Sequence, residues 1–225
     1  MSYNPGFLSD VAKVNGATPV ALSRHNPDAT RTSTGCIRHC PFCIVPKIEG
    51  ALVELKHWDP KPMVCDNNFL ACSLAHFDRV IDNLKPVRQV DFNQGLDARC
   101  LTTYKAQRLL ELDLKCLRLA WDSLSYERSF RRAFEILIRS GFSAKKIHVY
   151  VLFGFEDTPE STLYRLETIR GLGAWPNPMR YQPLGAKTKN EYVAPGWSAR
   201  ELARFARYWS RLTWLGYFPF SEYRG

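Results

Sequence analysis

From residue 31 onward the chain alternates short apolar runs with longer stretches of helical period. The runs Arg31–Gly35, Pro62–Cys65, Gln89–Asn93, Cys116–Trp121, Lys146–Phe153 and Met179–Pro183 read as strands. Helical patterns follow most of them, at Leu74–Leu84, Thr103–Leu112, Tyr126–Arg139, Pro159–Gly171 and Ser198–Leu215. Several runs are apolar at nearly every position, as expected of parallel strands covered on both faces. The boundary residues agree. Ser140-Gly141 closes the third helical pattern, and Thr158-Pro159-Glu160 opens the fourth with a cap and a proline in its first turn. The pattern predicts an α/β fold in one domain over residues 31–225. Residues 1–30, with Pro5, Gly6, Gly16, Pro19 and Pro27, read as an irregular N-terminal extension covering one end of it. Six βα units in about 195 residues fall short of a closed eight-unit barrel, which takes about 250.

Composition narrows the class. With 225 residues and 45% hydrophobic content the chain can bury one sizeable core. No run reaches the roughly 18 apolar residues of a membrane span, and the N-terminus has no basic-then-apolar leader, so no membrane partner is expected. Seven cysteines, an odd number without the spacing of a secreted disulfide scaffold, point to the reduced cytoplasm. The net charge of +9 is unevenly placed. Residues 123–150 carry six basic and two acidic residues, and residues 176–225 carry eight and three. The remainder is neutral, so the excess forms either basic surfaces for an anionic partner or a solvated exterior. Within the last helical pattern Arg200, Arg204, Arg207 and Arg211 share one stripe, while Leu202, Phe205, Trp209 and Leu212 fall on the opposite face. That stripe could follow a phosphate backbone. The late aromatic residues, among them Trp175, Tyr181, Tyr192, Trp197, Trp209, Tyr217 and Phe220, suit closing the open side of a short barrel and also suit base stacking.

The chemistry is concentrated in Cys36-Ile-Arg-His-Cys40-Pro-Phe-Cys43, three thiols within eight residues. A [4Fe–4S] cluster needs one terminal ligand per iron, so three cysteines leave one iron open for a substrate or cofactor. A closed zinc site wants four ligands, and here it would need His39 or a distant cysteine. The spacing, with Phe42 just before the third cysteine, resembles the signature of the radical S-adenosylmethionine (radical SAM) superfamily. That resemblance covers roughly residues 31–185. It implies an open partial (β/α)6 TIM-like barrel, a [4Fe–4S] cluster on Cys36, Cys40 and Cys43, and SAM as cofactor. It further implies a flavodoxin- or ferredoxin-like electron donor. Arg38 and Lys47 are expected to help keep the thiols deprotonated.

In parallel βα folds ligands gather where strands end. After the second strand, Asp66-Asn67-Asn68-Phe69 resembles the turn that contacts the SAM amino group in related enzymes; the same residues could simply cap the next helix. After the third strand, Gln94, Asp97 and Arg99 are candidates for substrate contact, with Asp97 capping or pairing to Arg99 as the plainer role. After the fourth, Asp122 and Ser123 stand where related enzymes hold the SAM ribose. Arg131 is placed to take the SAM carboxylate, in competition with Arg128 and Arg132. Leu152, on the apolar strand ending at Gly154, is the expected adenine contact, although the family's second glycine is missing here. The expected substrate is a nucleic-acid base or nucleotide, in tRNA or modified DNA. A peptide or small metabolite is the alternative, and a non-catalytic iron–sulfur or zinc protein that binds nucleic acid is the reading from a different class.

Overall fold

Among the described residues eight short strands carry the fold: β1 (Ala29–Thr30), β2 (Ser33–Thr34), β3 (Val53–Glu54), β4 (Met63–Val64), β5 (Asp91–Phe92), β6 (Leu117–Ala120), β7 (Ile147–Phe153) and β8 (Trp175–Arg180). They come from a computed structural model that describes residues 22, 24–183, 185–216 and 218–225. The sequence-predicted extension at residues 1–30 lies mostly outside the described residues, as does Tyr217. Two parallel sheets form, in the orders β1-β4-β5 and β6-β7-β8. Parallel bridges Val90–Leu114 and Leu96–Leu119 join the region of β5 to that of β6. The six parallel strands therefore follow one another in space in chain order, each reached by a crossover, within a mixed α/β fold.

Burial follows strand period. Along β7, Ile147, Val149, Val151 and Phe153 are buried and pack in the core, while His148, Tyr150 and Leu152 are only half-buried on the other face. Helices cover the core face: α2 (Leu74–Leu84), α3 (Thr103–Leu109), α4 (Glu127–Ser140), α5 (Pro159–Gly171) and α6 (Ala199–Trp209), after a single turn α1 (Val45–Ile48). The expected end signals work as read. Gly141 ends α4 in the left-handed conformation at φ 111°, and Thr158 forms a capping box with Ser161 ahead of Pro159.

Three expected elements differ. Of the strand predicted at Arg31–Gly35 only Ser33–Thr34 is extended, and the parallel strand lies before it. Ala29–Thr30 joins the parallel sheet, so the sheet starts inside the predicted extension, and Ser33–Thr34 instead pairs antiparallel with Val53–Glu54. The strand predicted at Met179–Pro183 occupies Trp175–Arg180, masked in the sequence by Pro176 and Pro178. Tyr181 donates its amide to Phe153, so alternate residues of β8 face β7 and the two prolines point their missing N–H groups away from it. The last helix breaks at Ser210 into α6 and a short α7 (Leu212–Leu215). Leu202, Phe205 and Trp209 are buried as their stripe predicts, with Tyr208 added. The late aromatics pack chiefly on one another, Phe205 on Phe220 at 4.6 Å and Trp197 on Phe205 at 5.1 Å, whereas Trp214 is exposed.

Candidate functional site

The cysteine loop leaves β2 through Gly35, whose φ of 70° and contact with the Ala51 carbonyl leave no room for a Cβ. The loop closes on the next stretch of chain: Cys36 donates its amide to Gly50, and Cys43 donates to Cys40. Glu49 secures this closure from inside. It accepts from Arg31 at 2.9 Å, the Gly35 amide at 2.8 Å and the Asn67 side chain at 2.7 Å. Its role was not apparent from the sequence, because its three partners lie on both sides of it along the chain.

All three thiols line one cavity of about 210 Å³. Asn67, Asn68, Gln94, Asp97, Arg99, Asp122 and Phe42 share its wall, so most of the predicted site residues meet here. Phe42, Asp122 and Tyr126 also line a neighbouring cavity of about 290 Å³, together with Ser123, Leu152, Phe155 and Arg165. Two cavities with a common wall thus run from the cysteines to the end of β7.

Electrostatics at the cysteines reflects their proximity. Burial pushes the Cys40 thiol up, the Arg99 guanidinium pulls it partly back, and Asp122 and Cys36 push it up again. Burial raises Cys43 too; the Val45 amide opposes, and Cys40 and Cys36 add to the rise. Three free thiols facing one cavity form a donor set that gains by binding positively charged iron. No fourth cysteine lines the cavity among the described residues, which fits a cluster with one open iron. Among the same residues no three His, Cys, Asp or Glu side chains form a group that could hold a metal ion. A cluster makes a different demand, one thiolate for each of several irons.

Asp97 is the hub of the polar wall. It accepts from the Arg99 amide at 3.0 Å, from the Arg99 guanidinium at 2.7 and 3.1 Å, from Arg38 at 3.1 Å and from Asn68 at 3.2 Å. Burial alone would push its carboxyl up; Arg99, then Arg38, outweigh that and hold it below its ordinary value. Its oxygens are thereby engaged within the protein, in the pairing to Arg99 that is the plainer of its expected roles. Arg99 also lies over the Tyr126 ring at 4.4 Å. It is Arg99 that bears on Cys40, while Arg38 turns to Asp97 and Cys100 and Lys47 is exposed. Gln94 is exposed at the mouth.

Asn68 is buried, 3% exposed, with its amide nitrogen toward the Cys36 sulfur at 3.6 Å and its Oδ1 without a partner. Asp66, expected beside it as a ligand, belongs elsewhere. It accepts the Thr32 amide at 2.6 Å, the Ser33 amide at 3.1 Å and the Thr32 hydroxyl, and lines neither cavity. Burial pushes its carboxyl up and those bonds only partly reverse the shift. Asp66 thus holds the segment entering the cysteine loop.

Asp122 lies between the cavities and accepts from the Leu152 amide at 3.2 Å. Burial pushes its carboxyl up to about 6, against the Leu152 bond and the charge of Arg165. Arg165 is fully buried. It donates to the carbonyls of Trp121 and Leu152, both at 3.0 Å, and to Asp157 at 2.6 Å, clamping the ends of β6 and β7 together. Its position deep in a helical pattern gave no sign of this in the sequence. Arg131 is a further correction. It pairs with Glu127 at 2.7 Å and bonds Tyr164 on the exterior, because its helical face turns away from the cavities. Its competitor Arg132 donates to the Arg99 carbonyl at 3.4 Å.

The arginine stripe divides. Arg200, Arg207 and Arg211 are exposed. Arg204 instead donates to the carbonyls of Tyr223 and Phe220, both at 2.6 Å, and covers the Phe220 ring at 4.2 Å. It fastens the C-terminal segment and lines a surface cavity together with Arg200 and Arg207. No helix among the described residues is long and apolar enough to cross a membrane. Compared with known proteins, the chain matches no family model, and no curated protein matches it significantly.

Proposed function

We propose that this chain is a radical SAM enzyme in which Cys36, Cys40 and Cys43 hold a [4Fe–4S] cluster and S-adenosylmethionine takes the two adjoining cavities. One observation carries the reading: three thiols from one short loop meet in a cavity with a polar wall that adjoins a second cavity at the strand ends. Six parallel strands in sequential order support an open (β/α)6 barrel around them. When bound, cluster and cofactor supply a 5′-deoxyadenosyl radical that can take a hydrogen atom from an unactivated carbon.

The chain's own residues bind and orient. The unpartnered Oδ1 of Asn68 offers an acceptor for an ammonium group beside the cysteines. Arg99, rather than Arg131, is a guanidinium on the cavity wall beside Arg38; Asp97 takes its Nε and Nη2, and its Nη1 is left as a donor for a carboxylate. Asp122 and Ser123 offer acceptors for ribose hydroxyls, and Leu152 with Phe155 gives the second cavity apolar surface for an adenine. Asp97 and Glu49 hold these groups in place and keep the loop closed against water. Gln94, at the mouth, is the polar group best exposed to substrate.

The basic segments 123–150 and 176–225 favour a nucleic-acid base or nucleotide as substrate in the cytoplasm, with a flavodoxin- or ferredoxin-like protein delivering the electron. In a duplex the target base must first leave the stack. The test is anaerobic reconstitution with iron and sulfide, then SAM and dithionite, with an assay for 5′-deoxyadenosine. Product that disappears in Cys40→Ala is expected. A protein loaded with about four irons that forms no 5′-deoxyadenosine, with or without nucleic acid, overturns the enzyme and leaves a cluster protein that only binds.

A further inference from the structure

A row of aromatic rings leads away from the cysteine loop along the strand ends. Phe42 meets Phe155 edge-on at 5.9 Å, Phe155 meets Tyr181 at 4.6 Å, and Tyr181 meets Tyr192 at 5.4 Å. All four rings are half-buried, so each keeps part of its surface open. Phe42 lines both cavities, and Phe155 lines the second. The row therefore starts at the site and ends about three ring spacings away, in the loop after β8.

That loop is tied at its base and basic at its tip. Gln182 and Asn190 exchange hydrogen bonds at 3.0 and 3.1 Å, and Arg180 donates to the carbonyls of Asn190 and Tyr192 at 2.8 and 2.9 Å. Beyond the tie, Lys187 and Lys189 are exposed and make no hydrogen bond or ion pair among the described residues. They are the only charged residues between Pro183 and Asn190. The nearest acid in sequence is Glu191, exposed beside Tyr192; at the row's other end Glu156 stands on the cavity wall, and Asp157 is paired to Arg165.

We infer that Tyr181 and Tyr192, with Lys187 and Lys189, form a track for single-stranded nucleic acid that delivers one nucleotide to the cavity mouth beside Phe155. The inference rests on the nucleic-acid reading above. Rings at successive steps accept bases through their open faces without reading sequence, and two unpaired ammonium groups meet phosphates. A duplex, whose bases are already stacked, gains nothing from the rings. The exposed arginines of α6 are the rival surface, and they carry charge without an adjoining row of rings that reaches the cavities.

The test is fluorescence anisotropy with a labelled single strand of about 12 nucleotides, as RNA and as DNA, across a salt series. Neither cluster nor SAM is needed, so the result is independent of the radical chemistry. The double variant Lys187→Glu/Lys189→Glu should weaken binding about tenfold and flatten its salt dependence. Tyr181→Ala should weaken it by about tenfold with the salt slope unchanged, and a duplex should bind less well than either strand. Both lysines are exposed and unpaired, so that variant keeps the fold. If binding persists in both variants but falls in Arg200→Glu/Arg207→Glu, the track is wrong and the nucleic-acid reading survives. If the unaltered protein binds no single strand, both are wrong.

Discussion

Arginine does opposite work at the two ends of this molecule. At the strand ends Arg38, Arg99 and Arg165 are partly or wholly withdrawn from water, and each is paired to an aspartate carboxylate. On α6 and just beyond its end, Arg200, Arg207 and Arg211 are left to solvent, and only Arg204 is taken up, by backbone carbonyls. A buried guanidinium must have acceptors for its donors or it destabilises the fold. An exposed one needs none and so stays available to a partner. Position in the fold, and not residue type, separates a structural arginine from a recruiting one.

The sharpest way to break this contrast is Arg165→Met. Removing this fully buried cation leaves the Asp157 carboxylate without its counter-charge and takes a donor from two carbonyls, and stability should fall by about 3–5 kcal/mol, measured by urea unfolding of the apo-protein. A loss no larger than that of an exposed arginine would erase the distinction. Next comes Asp122. Its carboxyl titrates near 6 in the native state against 3.8 ordinarily, so the folded protein retains a proton that the unfolded chain releases. This group therefore contributes stability at low pH that is lost as pH rises between about 4 and 6. Asp122→Asn should gain stability relative to the unaltered protein across that window, by up to about 3 kcal/mol. A pH-independent difference would show that Asp122 is solvated.

Asp97→Ala strands Arg38, Arg99 and the Asn68 amide together. A loss of about 2–3 kcal/mol is expected, with reduced iron retention after reconstitution. Asp97→Asn, which keeps shape and some acceptors, should recover part of both. Equal behaviour of the two variants would deny the hub. The smallest effect sharpens the comparison within one helix. Arg204→Ala should cost about 1–2 kcal/mol and Arg207→Ala less than about 0.5, both read from thermal unfolding. Equal costs would mean that Arg204 is not pinned.

Much of the fold was legible in the sequence because its signals are local. Caps at Thr158 and Gly141 and the apolar period of α2 act over a few residues. β8 was misplaced because prolines look like strand breakers until one knows that they sit on an edge. At the site, the cysteines, Asn68, Asp122 and Leu152 were found at or just beyond the ends of strands, since a parallel fold brings those ends to one face. Glu49, Arg165 and the hub role of Asp97 were missed for one reason. Their partners lie on other elements, as Arg38 lies 59 residues from Asp97.

The sequence by itself determined the alternation of strands and helices and the three-cysteine loop, because propensity, capping and cysteine spacing are short-range properties. Only the tertiary structure decided which of the charged residues face the cavities and which hold the chain together. Asp66 and Asp97 follow neighbouring strands and look alike in sequence. One is consumed by the backbone of the segment entering the cysteine loop and the other by two arginines on the cavity wall. Pairing of this kind depends on which loops meet in space, and that is set by packing of the whole core.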